Sequence, residues 1–133
     1  MAGPRALDND RFGNLLYKVE YGDRGMLPKL EELILLALLK QGPDTTAGTV
    51  QAMLSEATGR EQAFGAVFTT LDRLTEKKFV KWKKGLPDER RGGRAPRLYT
   101  ITGTGRTTLI ASLRATQVLA EGTAIGGLIP ARA

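Results

Sequence analysis

Apolar residues recur along most of this chain at the spacing of helices, and alternate as in strands over only two short stretches. Leu30, Leu33, Ile34, Ala37 and Leu38 form a wide stripe at helical spacing. With Pro28 in its first turn and Gly42-Pro43 as a stop, this predicts a helix from 28 to about Gln41. A second helix, started by Asp44, Thr45 or Thr46, carries Val50, Met53, Leu54 and Ala57 and ends at Gly59. After the turn Gly59-Arg60-Glu61, residues 62–78 set Phe64, Val67, Phe68, Leu71 and Leu74 on one face of a third helix. From Phe79 to Lys84 the period falls to two, with Val80 and Trp82 on one side and Lys81 and Lys83 on the other. A return strand from Arg97 to Ile101 places Tyr99 and Ile101 on one face, and Gly85 to Pro96, rich in Gly, Pro and Arg, reads as a long mobile hairpin tip. Thr102 caps a last helix from about Gly103 to Ala120, with Leu109, Ile110, Leu113, Gln117 and Ala120 as its seam.

The outer face of the third helix is unusual in its residue types. It presents Ala63, Gly65, Ala66, Thr69, Thr70 and Arg73, where a merely solvated face would carry the better helix formers Glu, Lys and Gln. Small residues there point to close approach by something outside the chain. Two helices, a third with this lean face, and a hairpin together read as a winged helix-turn-helix, mainly α (α+β), with a two-stranded β wing.

The ends are less patterned. In the arm 1–27, Phe12, Leu15, Leu16 and Val19 fit a short amphipathic helix capped by Asp8 or Asn9, which is read equally as a tail, an added partner-binding helix, or sequence upstream of another start. The domain proper is 28–101, the last helix occupies 102–121, and 122–133, with Gly126-Gly127 and Pro130, reads as a disordered tail.

Charge changes the picture by its placement. The chain has 20 Lys and Arg against 14 Asp and Glu, a net +6. From Glu76 to Arg97 nine cations face three acids, so this stretch alone holds the whole excess. A confined basic surface is what tracks phosphates, because neutralising them releases counterions. Its cations in the wing are Lys81, Lys83, Lys84, Arg90, Arg91, Arg94 and Arg97. A solubilising loop, or an RGG-like element binding RNA, is the competing reading, and the alternating strands on either side favour a structured hairpin.

Composition closes most other chemistry. With no Cys and no His, thiol nucleophiles, imidazole bases, disulfides and nearly all transition-metal sites are excluded, and no cofactor or enzymatic activity is expected. Asp72 and Glu76 share a helical face with no further acid, base or ligand grouped beside them. Gly103 to Thr108 superficially resembles a phosphate loop but lacks its spacing and its Lys. The longest apolar run, Leu33 to Leu39, falls far short of the roughly 20 residues a membrane span needs. A cytoplasmic, nucleoid-associated protein is the expectation. An aromatic content of 6% suggests an aliphatic helical core, with Trp82 packing on it rather than stacking on a ligand.

Four strings in this order resemble the PadR family of bacterial transcriptional regulators: L-E-E-L-I-L-L-A-L-L at Leu30 to Leu39, G-A-V-F-T-T-L-D-R-L at Gly65 to Leu74, R-G-G-R-A-P-R at Arg91 to Arg97, and L-Y-T-I-T-G-T-G-R at Leu98 to Arg106. The resemblance runs from about Leu30 to Leu119, roughly two thirds of the chain. It implies a homodimeric repressor on an inverted repeat of double-stranded DNA, with the third helix in the major groove, the wing along the backbone or minor groove, and a C-terminal dimerisation helix. Gly65 and Ala66 would let the third helix sit deep, Thr69 or Thr70 would reach phosphate or a thymine methyl, and Arg73 would meet backbone or guanine. Arg90, Arg91 and Arg94 suit a narrow minor groove.

Two departures stand out. Phe68 replaces the usual Tyr and so lacks a hydroxyl for phosphate, and Gly103 stands where an acidic residue often starts the helix. The chain is also too short for the helical domain of long family members, which leaves dimerisation to Leu109, Ile110 and Leu113, helped by the arm. The family further implies a small-molecule or protein effector, which no polar constellation here marks. The alternative function is a winged-helix interaction module that binds a protein or anionic surface through the basic hairpin.

Overall fold

The computed structural model describes residues 27–87 and 92–128, which form α1 (Lys29–Gln41), α2 (Ala47–Thr58), α3 (Phe64–Glu76), β1 (Val80–Lys84), β2 (Arg97–Ile101) and α4 (Gly103–Ala120) in chain order. The helix expected around Phe12 to Val19 lies outside the described residues, as do Arg90 and Arg91. Residues 122–128, the start of the expected tail, form turns and a single 3-10 turn at Gly126–Leu128.

Local chemistry accounts for the boundaries. Pro28 precedes α1 and its carbonyl accepts from the amide of Glu32, while Glu31 and Glu32 set negative charge at the positive end of the helix dipole. Gly42, at φ 101, ends the helix in a conformation that side chains disfavour. Thr46 is the residue that caps α2, accepting from the amide of Thr49 at 3.2 Å. The third helix stops at Glu76, two residues earlier than expected, because Lys78 adopts a left-handed φ of 70 that turns the chain into β1. The start of α4 does not need the acid missing at Gly103. Thr102 Oγ1 accepts from the amide of Gly105 at 3.0 Å and donates to the Lys78 carbonyl at 2.7 Å, so one hydroxyl fixes both the helix start and the turn after α3.

β1 and β2 are antiparallel, with Val80 opposite Ile101, Trp82 opposite Tyr99 and Lys84 opposite Arg97. The turn between α1 and α2 adds one residue to this ribbon. The Thr45 amide donates to the Tyr99 carbonyl at 2.9 Å, and the Thr45 carbonyl accepts from the Tyr99 amide at 2.7 Å. A two-stranded ribbon is marginal alone, so this pairing and its packing on the helices hold it.

The core is where all four helices meet the inner face of the ribbon: Ile34, Leu35, Leu38, Val50, Leu54, Val67, Leu71, Leu74, Phe79, Val80, Tyr99 and Leu109. Burying each large aliphatic side chain contributes about 1.5–3 kcal/mol. Gly105 lets α4 lie directly on the chain entering β1, since a Cβ there would collide with the Phe79 carbonyl.

Two polar ties connect α1 to the rest. Glu31, 1% exposed, receives Lys77 Nζ on both carboxylate oxygens at 3.0 Å, and Ser112 Oγ of α4 donates to Glu32 Oε2 at 2.7 Å. Within a basic segment, Lys77 is therefore a structural cation.

Gly105→Ala should cost about 3 kcal/mol in urea unfolding through this overpacking, whereas Gly103→Ala, where a Cβ meets open space, should gain about 0.5–1 kcal/mol. Equal effects at the two sites would refute the close approach at Gly105. Lys77→Met strands a buried carboxylate and should cost about 2–3 kcal/mol, against less than about 0.5 kcal/mol for Lys84→Met on the surface.

Candidate nucleic-acid interface

The turn between α2 and α3 is locked before either helix meets anything outside. Gln51 Nε2 donates to the Gln62 carbonyl at 2.7 Å, and the Gln62 amide donates to Ser55 Oγ at 3.0 Å. Gly59, at φ 72, closes α2 by donating to the Ser55 carbonyl. These contacts fix the angle at which α3 is presented. Gln51, Ser55 and Gln62 are functional in this sense, and sequence reasoning misses them because a polar residue facing a turn has no periodicity to mark it.

On α3, Gly65, Ala66, Thr69 and Arg73 are exposed, with Ala63 at the N-cap just before them. A Cβ on Gly65 would meet nothing within 4 Å, so the fold itself does not require glycine there. Thr70 corrects the expected set. It is 4% exposed and its hydroxyl donates to the Ala66 carbonyl at 2.8 Å, so it belongs to the inner face. The first turn departs in the other direction: Phe64, set on the apolar face by its spacing, is 45% exposed and stacks with Phe68 at 6.0 Å between ring centroids.

The wing begins beside that turn. Phe64, Phe68, Arg94, Pro96, Arg97 and Tyr99 line one cleft of about 310 Å³, which makes the start of α3 and the base of the wing a continuous surface. Lys81, Lys83, Lys84 and Arg94 are exposed, and Lys83 lies 3.7 Å from Asp44 in a loose, solvated pair. Beyond the last strand pair the Gly85 amide donates to the Pro96 carbonyl at 2.8 Å, and Gly92 and Gly93 take positive φ at the tip.

Arg97 is the second correction. It does not project from the wing but lies inward, its Nη1 3.0 Å from Asp72 Oδ1 of α3 and 3.5 Å from the Tyr99 phenol oxygen. Its guanidinium sits 4.2 Å from the centroid of Trp82 and 5.0 Å from that of Phe68. Burial raises the Tyr99 phenol above the ordinary tyrosine range, opposed by its hydrogen bond from Arg97. Arg97 is in turn held charged, first by its hydrogen bond to Tyr99.

The third correction concerns α4. Leu109 is fully buried in the core of its own chain and cannot face a second copy, and Leu113 is half-buried. Ile110, 46% exposed, does lie on the outer side, and Val118 and Leu119 continue an apolar surface toward the helix end. Among the described residues no group of three or more acids could hold a metal ion, and no helix is long and apolar enough to cross a membrane.

No family model matches the chain, and no curated protein matches it. Solved structures do. A transcriptional regulator from Thermoplasma acidophilum is similar at a TM-score of 0.59 and 25% identity, over 68% of this chain and 82% of that one. A PadR-like transcription factor from Bacteroides fragilis gives 0.61 and 23% over 81% and 93%, and RosR of H. salinarum gives 0.58 and 22% over 77% and 84%. With four helices, a locked turn before the third and one antiparallel hairpin among its described residues, the chain has the winged-helix fold of the PadR-like transcriptional regulators.

Proposed function

We propose that this protein is a DNA-binding transcriptional regulator, a repressor that binds an inverted repeat as a dimer. The observation that carries the reading is the cleft that joins Phe64 and Phe68 of α3 to Arg94 and Arg97 of the wing, so that a helix with exposed small residues stands beside a wing that also bears exposed Lys81 and Lys84. A helix lined by Gly65, Ala66 and Thr69 can approach base edges closely, with Arg73 reaching guanine or backbone, while the wing cations meet phosphates. The similar structures from Thermoplasma acidophilum and Bacteroides fragilis, a transcriptional regulator and a transcription factor, support the same reading.

The two surfaces do different work. Sequence preference belongs to α3, and salt-dependent affinity to the wing. Dimerisation rests on the outer side of α4 around Ile110 rather than on Leu109. A dimer sets two copies of α3 about one helical turn of DNA apart, which is what an inverted repeat requires.

Duplexes selected from a genomic library supply the test. Arg73→Ala should narrow the gap between selected and random duplex by about 1–3 kcal/mol. Lys84→Ala with Arg94→Ala should weaken all duplexes alike and lower the slope of log K against log salt by about two. Equal affinity for selected and random duplex, with binding retained, would favour a basic interaction module instead. In sedimentation, Ile110→Glu should give folded monomers, whereas Leu109→Glu should unfold the chain. A folded dimer formed by the Ile110→Glu variant would place the interface elsewhere.

A further inference from the structure

Arg97 lies in the most cationic part of the sequence, yet among the described wing cations it is the one that the fold turns inward. In β2 the alternation that buries Tyr99 also places Arg97 on the inner face, opposite Lys84 and beside Trp82. Its guanidinium joins three elements: Phe68 and Asp72 on α3, Trp82 on β1 and Tyr99 on β2 itself. Phe68 and Asp72 are four residues apart and so share one face of α3, and each immediately precedes a residue of the exposed face, Thr69 and Arg73.

We infer that Arg97 is a positioning residue, a latch that sets the angle between α3 and the wing and thereby specifies how both meet the duplex at once. The Arg97–Asp72 pair is partly solvated, 36% and 51% exposed, and such a pair adds little to stability. Its effect is geometric. A planar guanidinium can stack on an aromatic face while bonding a carboxylate along its edge, and Lys cannot do both. Freed from Asp72, the wing remains paired strand to strand but can tilt against α3, and Arg94 moves relative to Arg73.

This latch rests on the DNA reading only for its effect on affinity. Its geometry is visible in the free protein, because Trp82 is the single Trp of the chain.

Acrylamide quenching of Trp82 in the free protein, and salt titrations of duplex binding, are the measurements. They compare wild type with Arg97→Met, Arg97→Lys and Asp72→Asn. Asp72→Asn is decisive, because it removes a negative charge, which by electrostatics alone would favour a polyanion, and leaves every aromatic in place. The latch requires Asp72→Asn to increase Trp82 quenching and, against the simple electrostatic expectation, to weaken duplex binding by about tenfold with the salt slope unchanged. Arg97→Met and Arg97→Lys should both act in the same direction.

If Arg97 instead contacts phosphate, Arg97→Met lowers the salt slope by about one and Asp72→Asn tightens binding, which overturns the latch. Unchanged Trp82 quenching in Asp72→Asn overturns it whatever the duplex does. Should wild type bind no duplex, the DNA reading fails and the quenching comparison still decides whether the latch exists.

Discussion

Tyr99 is the residue through which the parts of this fold constrain one another. Its ring is fully buried, its backbone pairs with Trp82 across the ribbon, and both its amide and its carbonyl are taken by Thr45. A ribbon of two five-residue strands has too little surface to stand on helices by itself. By accepting Thr45 as a third, one-residue strand, Tyr99 ties the wing to the turn between α1 and α2, the turn from which the helix-turn-helix departs. Its phenol then meets Arg97, and through Arg97 the C-terminal half of α3. One buried tyrosine thus links the wing to both ends of the helix-turn-helix, and loosening it would unsettle the angle between α3 and the wing.

The other organising element is the acidic start of α1. Two neighbouring carboxylates point to different partners, Glu31 to Lys77 at the end of α3 and Glu32 to Ser112 of α4. Buried ion pairs are weak sources of net stability, because desolvation offsets most of the attraction, but they penalise every arrangement that separates them. Here the penalty falls on any shift of α3 or α4 along α1. The helices α3 and α4 are therefore both held to one common rod, α1.

Much of this was legible in the sequence, and the failures share one cause. Helix and strand order followed from apolar period, and the caps at Thr102 and Gly59 from residue type. What the pattern could not resolve was the rim of each face, where one position separates inside from outside. Thr69 and Thr70 are chemically identical neighbours about 100° apart on a helix, and only the packing of Leu71 and Val67 decides that Thr70 is the buried one. Leu109 and Ile110 differ in the same way: Gly105 brings α4 close to β1 and turns Leu109 inward, and no periodicity shows how near two elements will lie. Arg97 was readable in principle. The alternation that put Tyr99 and Ile101 inward put Arg97 with them, and its charge obscured its parity.

That parity changes what the basic segment is for. A count of nine cations suggests a uniform phosphate-binding strip, but the fold has already committed several of them. Lys77 neutralises buried Glu31, Arg97 is bound to Asp72 and two aromatic rings, and Lys83 lies near Asp44. Among the described residues Lys78, Lys81, Lys83, Lys84 and Arg94 remain exposed, Lys83 in its loose pair with Asp44. A strip of free cations would bind any polyanion with strength and little register, since counterion release is indifferent to sequence. On the proposed DNA reading, turning Arg97 inward would reduce that indiscriminate term while its charge fixes the wing against α3. On that same reading, a wing held in this way would satisfy its remaining phosphates only when α3 is seated in the groove beside it, so that lost affinity would return as selectivity.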